Sequence, residues 1–181
     1  MGADTGDWII RPAKPSEAES LARFGAGCFR EAYGADTHPD DLEAHIAEHY
    51  GAAQQSREIA DPDSVFLVAE SASSIVAYLL LRQGEPPACV SSRRRMEVLR
   101  LYLAFSTHGR GLAQRLLAAA TEAAAARGAE GLWLTVWERN PRAIAFYRKC
   151  GFVDVGETVF QVGNDPQRDR VMERPPGPLA G

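Results

Sequence analysis

The sequence predicts a mixed α/β protein built on one sheet of about six or seven strands. Three observations predict it. First, Leu99–Ala113 reads as a strand, a tight basic turn and the start of a helix. Met96–Ala104 is rich in Leu, Val and Tyr, as a buried strand should be. The turn holds His108, Gly109, Arg110 and Gly111, and Leu112, Leu116 and Leu117 lead into a long alanine tract. Second, Gly131–Trp137 is a nearly continuous apolar run, as a strand buried on both faces requires. Third, Ser64–Glu70 and Ser74–Leu81 are apolar runs that flank Ser71-Ala72-Ser73, a sequence suited to a hairpin turn. With 181 residues, no internal repeat and no linker, the chain suits one domain, expected over residues 8–174.

Composition narrows the function classes. The formal net charge of -4 excludes a general nucleic-acid binder and is compatible with a cationic substrate. Cys28, Cys89 and Cys150 are far apart and odd in number, so neither a disulfide framework nor a zinc site follows. The N-terminus carries no long apolar run, which argues against a signal peptide and a membrane span. A cytoplasmic protein with no nucleic-acid or membrane partner is expected.

Taken in order, residues 1–7 are small and polar and are expected to be a disordered tail. Trp8-Ile9-Ile10-Arg11 reads as a short first strand. Pro12 and Pro15 break it, and Ser16 with Glu19 reads as a capping box opening a helix with Leu21, Phe24, Cys28 and Phe29 on its apolar side. Tyr33-Gly34 ends that helix. His38-Pro39 opens a second, with Leu42, Ile46 and Tyr50 on one face and Asp40, Asp41 and Glu43 favouring its N-terminal end. His45-Ile46-Ala47-Glu48-His49 matches H-x-x-E-H, a zinc-protease helix. No downstream glutamate ligand is evident, so the two histidines are expected to be solvated and no metal is expected. Gly84-Glu85-Pro86-Pro87 opens a loop, and Arg93-Arg94-Arg95 reads as a solvated loop, with phosphate contact or a dimer surface as the alternative. After the central strand, the alanine-rich helix runs to Gly128, a fitting C′ residue. Asn140 caps a short helix with Pro141 at its first position, Ala143, Ile144 and Tyr147 on its inner face, and Gly151 after it. Phe152–Val162 reads as a strand, Gly163-Asn164-Asp165-Pro166 as a turn and Asp169–Glu173 as a last strand. Residues 175–181 form a patternless tail.

The glycine turn predicts an anion site. Gly109 and Gly111 let backbone N–H groups approach a ligand, the helix N-terminus adds about half a positive charge, and Arg110 adds a full one. The third glycine of a dinucleotide fingerprint is missing, and no Gly-Lys-Ser/Thr is present, so a P-loop is excluded.

His108-Gly109-Arg110-Gly111-Leu112-Ala113 resembles motif A of the GNAT superfamily of N-acetyltransferases, with His in place of the usual Gln or Arg. Asn140-Pro141-Arg142-Ala143-Ile144-Ala145-Phe146-Tyr147-Arg148-Lys149-Cys150-Gly151-Phe152 resembles motif B, N-x-x-A-x-x-F-Y-x-x-x-G-F, and follows a strand, as in that family. Glu97-x-x-Arg100-Leu101-Tyr102-Leu103, Trp137-Glu138-x-Asn140 and the run from Val155 through Gln167-x-Asp169 to Met172 are similar to the bacterial PaiA-type spermidine/spermine N-acetyltransferases. The resemblance implies a mostly antiparallel sheet, splayed between its fourth and fifth strands and flanked by about four helices. It implies acetyl transfer from acetyl-CoA to an amine by direct attack, with a polyamine or other small amine as acceptor, no metal, and a possible homodimer. A peptide, protein N-terminal or antibiotic acetyltransferase is the alternative enzyme, and a non-catalytic acyl-CoA sensor the alternative of another class.

The same resemblance implies residue roles. Glu97 stands where several members carry a general base, although a paired carboxylate supporting the strand fits the position equally. Tyr147 is the expected general acid toward the CoA sulfur. Leu101, Tyr102 and Leu103 would offer backbone groups to the pantetheine arm, with the thioester carbonyl near Leu103. Residues His108, Gly109, Arg110, Gly111, Leu112 and Ala113 would hold the pyrophosphate, and Asn140 the pantetheine amide or acetyl end. Glu138 and Asp36 are the candidates for gathering a cationic acceptor. Cys150 is rejected as a nucleophile, because a helix C-terminus disfavours a thiolate.

Overall fold

The computed structural model describes residues 7–92, 94–162, 164–175 and 177. Residues 1–6 of the expected N-terminal tail, Arg93, Gly163, and residues 176 and 178–181 of the C-terminal tail lie outside them. The strands are β1 (Ile9–Pro12), β2 (Ser64–Ser71), β3 (Ser74–Arg82), β4 (Met96–Leu103), β5 (Leu132–Trp137), β6 (Val153–Val162) and β7 (Asp165–Arg174). The helices are α1 (Ala18–Tyr33), α2 (Pro39–His49), α3 (Ala52–Ala60), α4 (Leu112–Ala126) and α5 (Pro141–Lys149). The strands form one sheet in the order β1-β2-β3-β4-β5-β7-β6. Every pair is antiparallel except β4–β5. No helix among the described residues is long and apolar enough to cross a membrane.

The main core lies where α4 covers the sheet. Leu112, Leu116, Leu117, Ala120 and Ala124 are buried against Leu79, Leu81, Met96, Val98, Leu132 and Leu134. Each leucine buried there contributes roughly 1.5–3 kcal/mol. A second set, with Leu21, Phe66, Val68, Tyr78 and Leu80, lies beneath α1. A third joins α1 and α2 to β6 through Phe29, Leu42, Ile46, Tyr50 and Val162.

Two irregularities in β4 shape the functional region. Leu80 of β3 pairs with Arg100 and Leu81 with Val98, so Leu99 is an extra residue, a β-bulge. The bulge resets the alternation of side chains. Met96, Val98, Leu101 and Leu103 all pack toward the α4 core, while Glu97, Leu99, Arg100 and Tyr102 line a cavity beside α1, α2 and α3. The second irregularity is a split. β4 and β5 pair only through Met96↔Leu132 and Glu97↔Trp133, and beyond that point the strands part. The splay expected between the fourth and fifth strands is therefore present.

Several local expectations are corrected. The first capping box is not Ser16–Glu19: Lys14 precedes a single 3-10 turn, Pro15–Glu17, and the Glu17 carboxylate accepts from the Lys14 N–H at 2.7 Å. Arg11 grips Glu17 from the strand side at 2.6 Å, which fixes the box two residues early. Helix α3 was not expected, because its large apolar content is little more than Ile59. Polar contacts hold it instead: Glu58 pairs with Arg100 at 2.6 Å, and the buried Gln55 donates to the His49 carbonyl at 3.4 Å. Strand β7 begins at Asp165, not Asp169. Pro166 is tolerated there because β5 ends opposite Asp169, so no further strand needs its missing N–H. The arginine run is not a solvated loop at Arg95, which is 7% exposed and bonds the Ser91 hydroxyl at 3.0 Å and the Arg174 carbonyl. Arg94 pairs with Glu130 at 3.0 Å.

His45 is also corrected, from a solvated residue to a buried one, 7% exposed. It stacks on Phe29 at 4.7 Å and lies 4.3 Å from the His49 ring. Burial, helped by His49 and Arg100, pushes its pKa down to about 4. The unfolded chain therefore takes up this proton first as pH falls, and stability is lost between about 6.5 and 4. Asp169, raised to about 6 by its own burial, has the opposite slope in the same window. A paired comparison isolates His45: the stability advantage of the wild type over His45→Gln at pH 7 should shrink by on the order of 3 kcal/mol by pH 4. Urea unfolding at both pH values reads this, and a pH-independent difference would refute it.

Candidate active site

Two cavities meet at the split. The first, about 610 Å³, lies between the C-terminal end of β4, the N-terminus of α4, the inner face of α5 and Cys28, Glu31 and Ala32 of α1. The strand-to-helix turn builds its anion-binding end. Gly109 and Gly111 adopt φ of 74° and 84°, a left-handed region that L side chains rarely enter. Gly111 is the N-cap of α4, so the first N–H groups of that helix open onto the cavity beside Leu112, Ala113 and Gln114.

The positive charge here comes from other residues than expected. Arg110 does not line the cavity, and its guanidinium stands over the Trp8 ring at 5.4 Å. Arg142 and Lys149 of α5 line it instead. Sequence reasoning passed over both, although their spacing of seven puts them on one helical face with Phe146. His108 lines the cavity as expected, and its buried Nδ1 has no hydrogen-bond partner. Burial and the nearby Arg142 push its pKa down, which keeps the ring neutral.

Leu101, Tyr102, Leu103, Asn140 and Tyr147 line the same cavity. Asn140 Oδ1 caps α5 by accepting from the Ala143 N–H at 3.0 Å. Tyr147 is half-buried, with its ring edge-on to Phe146 at 5.2 Å and Phe152 at 5.5 Å. Burial raises its pKa well above the usual phenol value, so it stays protonated at neutral pH and can donate a proton. Cys150, buried at the C-cap of α5, has its thiol pKa raised by burial, consistent with its rejection as a nucleophile.

The second cavity, about 640 Å³, is walled by α1, α2, α3, β6 and the loop at Glu85–Pro87. Aromatic rings dominate it: Phe29, Tyr33, Tyr50, Tyr102, Trp133 and Phe160. Four carboxylates, Glu58, Glu85, Glu97 and Asp169, face it alongside two guanidiniums, Arg82 and Arg100. Glu97 Oε2 accepts from Arg82 Nε at 2.6 Å, and Glu58 is bound to Arg100 at the same distance. Glu138 and Asp36 line neither cavity. They lie 3.9 Å from Arg168 and 4.0 Å from Arg139, on the surface. Tyr102 lines both cavities, and its hydroxyl is 2.7 Å from that of Tyr50. Among the described residues, no group of His, Cys, Asp and Glu is placed to hold a metal ion.

A splayed sheet with a glycine turn and a helix N-terminus at the split is an acyl-CoA-binding arrangement. The comparisons with known proteins agree. Residues 27–152 match the acetyltransferase (GNAT) family, and the chain belongs to it. An uncharacterized N-acetyltransferase of Mycobacterium bovis is 31% identical over 159 residues, 88% of this chain and 97% of that protein. The PaiA N-acetyltransferase of Thermoplasma acidophilum, solved with coenzyme A, shares the fold at a TM-score of 0.76 with 22% identity, covering 93% of this chain and 99% of that one. A spermidine N-acetyltransferase chimera from Vibrio cholerae and hSSAT shares it at a TM-score of 0.62 with 21% identity, covering 94% and 96%. The protein is an acetyl-CoA-dependent N-acetyltransferase of the GNAT type. The first cavity fits the co-substrate, with a glycine cradle, a helix N-terminus and two cationic side chains at one end and a protonated phenol along its wall.

Proposed function

We propose that the protein acetylates a small primary amine that carries positive charge, with a polyamine as the favoured acceptor, by direct attack in a ternary complex. One observation carries this reading. The second cavity presents four carboxylates and a wall of aromatic rings, and it meets the co-substrate cleft at Tyr102. Carboxylates attract ammonium groups by charge, and aromatic faces do so through their quadrupoles. A volume near 640 Å³ suits a small molecule. The reading is supported by the likeness in fold to a spermidine N-acetyltransferase chimera.

The residues divide the work. The turn from His108 to Ala113, with Arg142 and Lys149, holds the pyrophosphate. Leu101, Tyr102 and Leu103 offer backbone groups along β4, where the split leaves the strand without its β5 partner. Asn140 holds the pantetheine or acetyl end while capping α5. Tyr147 protonates the departing sulfur. Glu97, tied to Arg82, contributes negative charge at the branch of the sheet. A cytoplasmic setting suits a chain that uses acetyl-CoA and keeps free cysteines.

The test is CoA release with a panel of spermidine, spermine, aminoglycosides, amino acids and short peptides. Polyamines should give the highest kcat/KM. Preference for peptides would replace the small-amine reading with a protein-acceptor one. Acetyl-CoA binding without turnover on any amine would replace it with a sensor role.

A further inference from the structure

We propose that Asp169 is the residue that binds the acceptor's ammonium group in the second cavity and removes its proton. This rests on the acceptor reading above. Asp169 is 3% exposed, lines the cavity, and its buried Oδ1 has no hydrogen-bond partner. A buried carboxylate oxygen left unpaired costs free energy unless a ligand completes it. Two other carboxylates of the cavity differ in this respect. Glu97 is held by Arg82 and Glu58 by Arg100, whereas no cation pairs with Asp169 among the described residues. The Thr135 hydroxyl favours its charged form, and the Glu138 carboxylate repels it. An ammonium group entering the cavity would supply the missing partner and relieve that repulsion.

The position suits the reaction. Asp169 sits on β7 opposite Trp137 of β5 and Thr158 of β6, on the side of the split away from β4. Tyr33, which packs on Trp137 at 5.2 Å, is within electrostatic reach of both Asp169 and Tyr147. Asp169 lines the second cavity and Tyr147 the first, and Tyr102 lines both. Burial holds the Asp169 pKa up to about 6, which strengthens it as a base while leaving it ionised at neutral pH.

The step balances. The ammonium R–NH3+ gives one proton to Asp169, and the resulting amine attacks the thioester carbonyl carbon. A C–N bond forms and the C–S bond breaks, with Tyr147 giving its proton to the sulfur. The second nitrogen proton restores the Tyr147 phenol, and Asp169 releases its proton to water. The products are the amide, CoA thiol and one proton.

The deciding experiment compares Asp169→Asn with wild type on two acceptors at pH 7: the best cationic amine of the panel, and 2,2,2-trifluoroethylamine, which is neutral at that pH. The variant should lose about 100-fold or more in kcat/KM on the cationic amine. It should lose less than about tenfold on the neutral one, with acetyl-CoA affinity unchanged by calorimetry. Equal losses on both amines, or no loss, overturn the assignment while leaving acetyl transfer intact. A wild type that acetylates neither amine overturns the acceptor reading and this proposal with it. Thr135→Val supplies an independent readout if the Asn variant does not fold. Without the hydroxyl that favours the carboxylate, the acidic limb of kcat/KM should move to higher pH, and an unmoved limb counts against Asp169.

Discussion

Tyr147→Phe should lower kcat by about 10²–10⁴ while acetyl-CoA still binds. The substitution removes one oxygen and keeps the ring, so the edge contacts to Phe146 and Phe152 remain. The loss should fall on kcat, because a proton given to sulfur is needed only as the C–S bond breaks. Burial holds the phenol protonated across the neutral range, so the enzyme needs no external acid. Steady-state kinetics with calorimetric titration of acetyl-CoA separates the two quantities. A variant with unchanged kcat would remove Tyr147 from the chemistry.

Gly131→Ala should be among the most damaging small substitutions for stability, costing about 3–5 kcal/mol. Gly131 has φ of 127°, and a Cβ there would run into the Arg174 carbonyl and the Arg95 guanidinium. The carbonyl is backbone and cannot step aside, and Arg95 is itself buried and bonded. The site is also structurally central. The Gly131 carbonyl accepts from the Met96 N–H at 3.2 Å, at the start of the short β4–β5 contact that joins the two parts of the sheet. Calorimetry should show a fall in Tm on the order of 10 °C. A shift within a degree or two would mean that the backbone relaxes around the added methyl.

Elements that carry their own signals were legible in the sequence. Helix α5 announces itself through Asn140, Pro141 and the glycine that follows, and α4 through its apolar stripe after Gly111. The β2–β3 hairpin is legible from two apolar runs, and its turn is tight enough to force Ala72 and Ser73 to positive φ. What escaped depends on partners distant in sequence. Helix α3 is held by Arg100, 42 residues from Glu58, so no local periodicity reveals it. The surface positions of Glu138 and Asp36 depend on where β7 and the loop after α1 come to rest. Asp169 belonged to a recognised run, yet its lack of a cation emerges only when three strands converge on it. Arg110 illustrates the converse: it stands in the glycine turn, but its guanidinium lies over Trp8, from the other end of the domain.

The bulge at Leu99 carries a consequence for how this enzyme can diversify. Upstream of it, even-numbered residues of β4 face the α4 core; downstream, odd-numbered residues do. Gene variation that changes side chains can therefore retune the second cavity at Glu97, Leu99 and Arg100 one position at a time, leaving Leu101 and Leu103 on the wall of the first. Variation that changes chain length has such freedom only at the bulge, between Val98 and Arg100. Deleting Leu99 would restore a plain alternation, with Glu97, Arg100 and Tyr102 still facing the cavity and Val98, Leu101 and Leu103 the α4 core, whereas removing a residue elsewhere in the strand would turn the residues beyond it to the opposite faces. Over evolutionary time the strand is open to substitution along its cavity face, and to a change of length at the bulge alone.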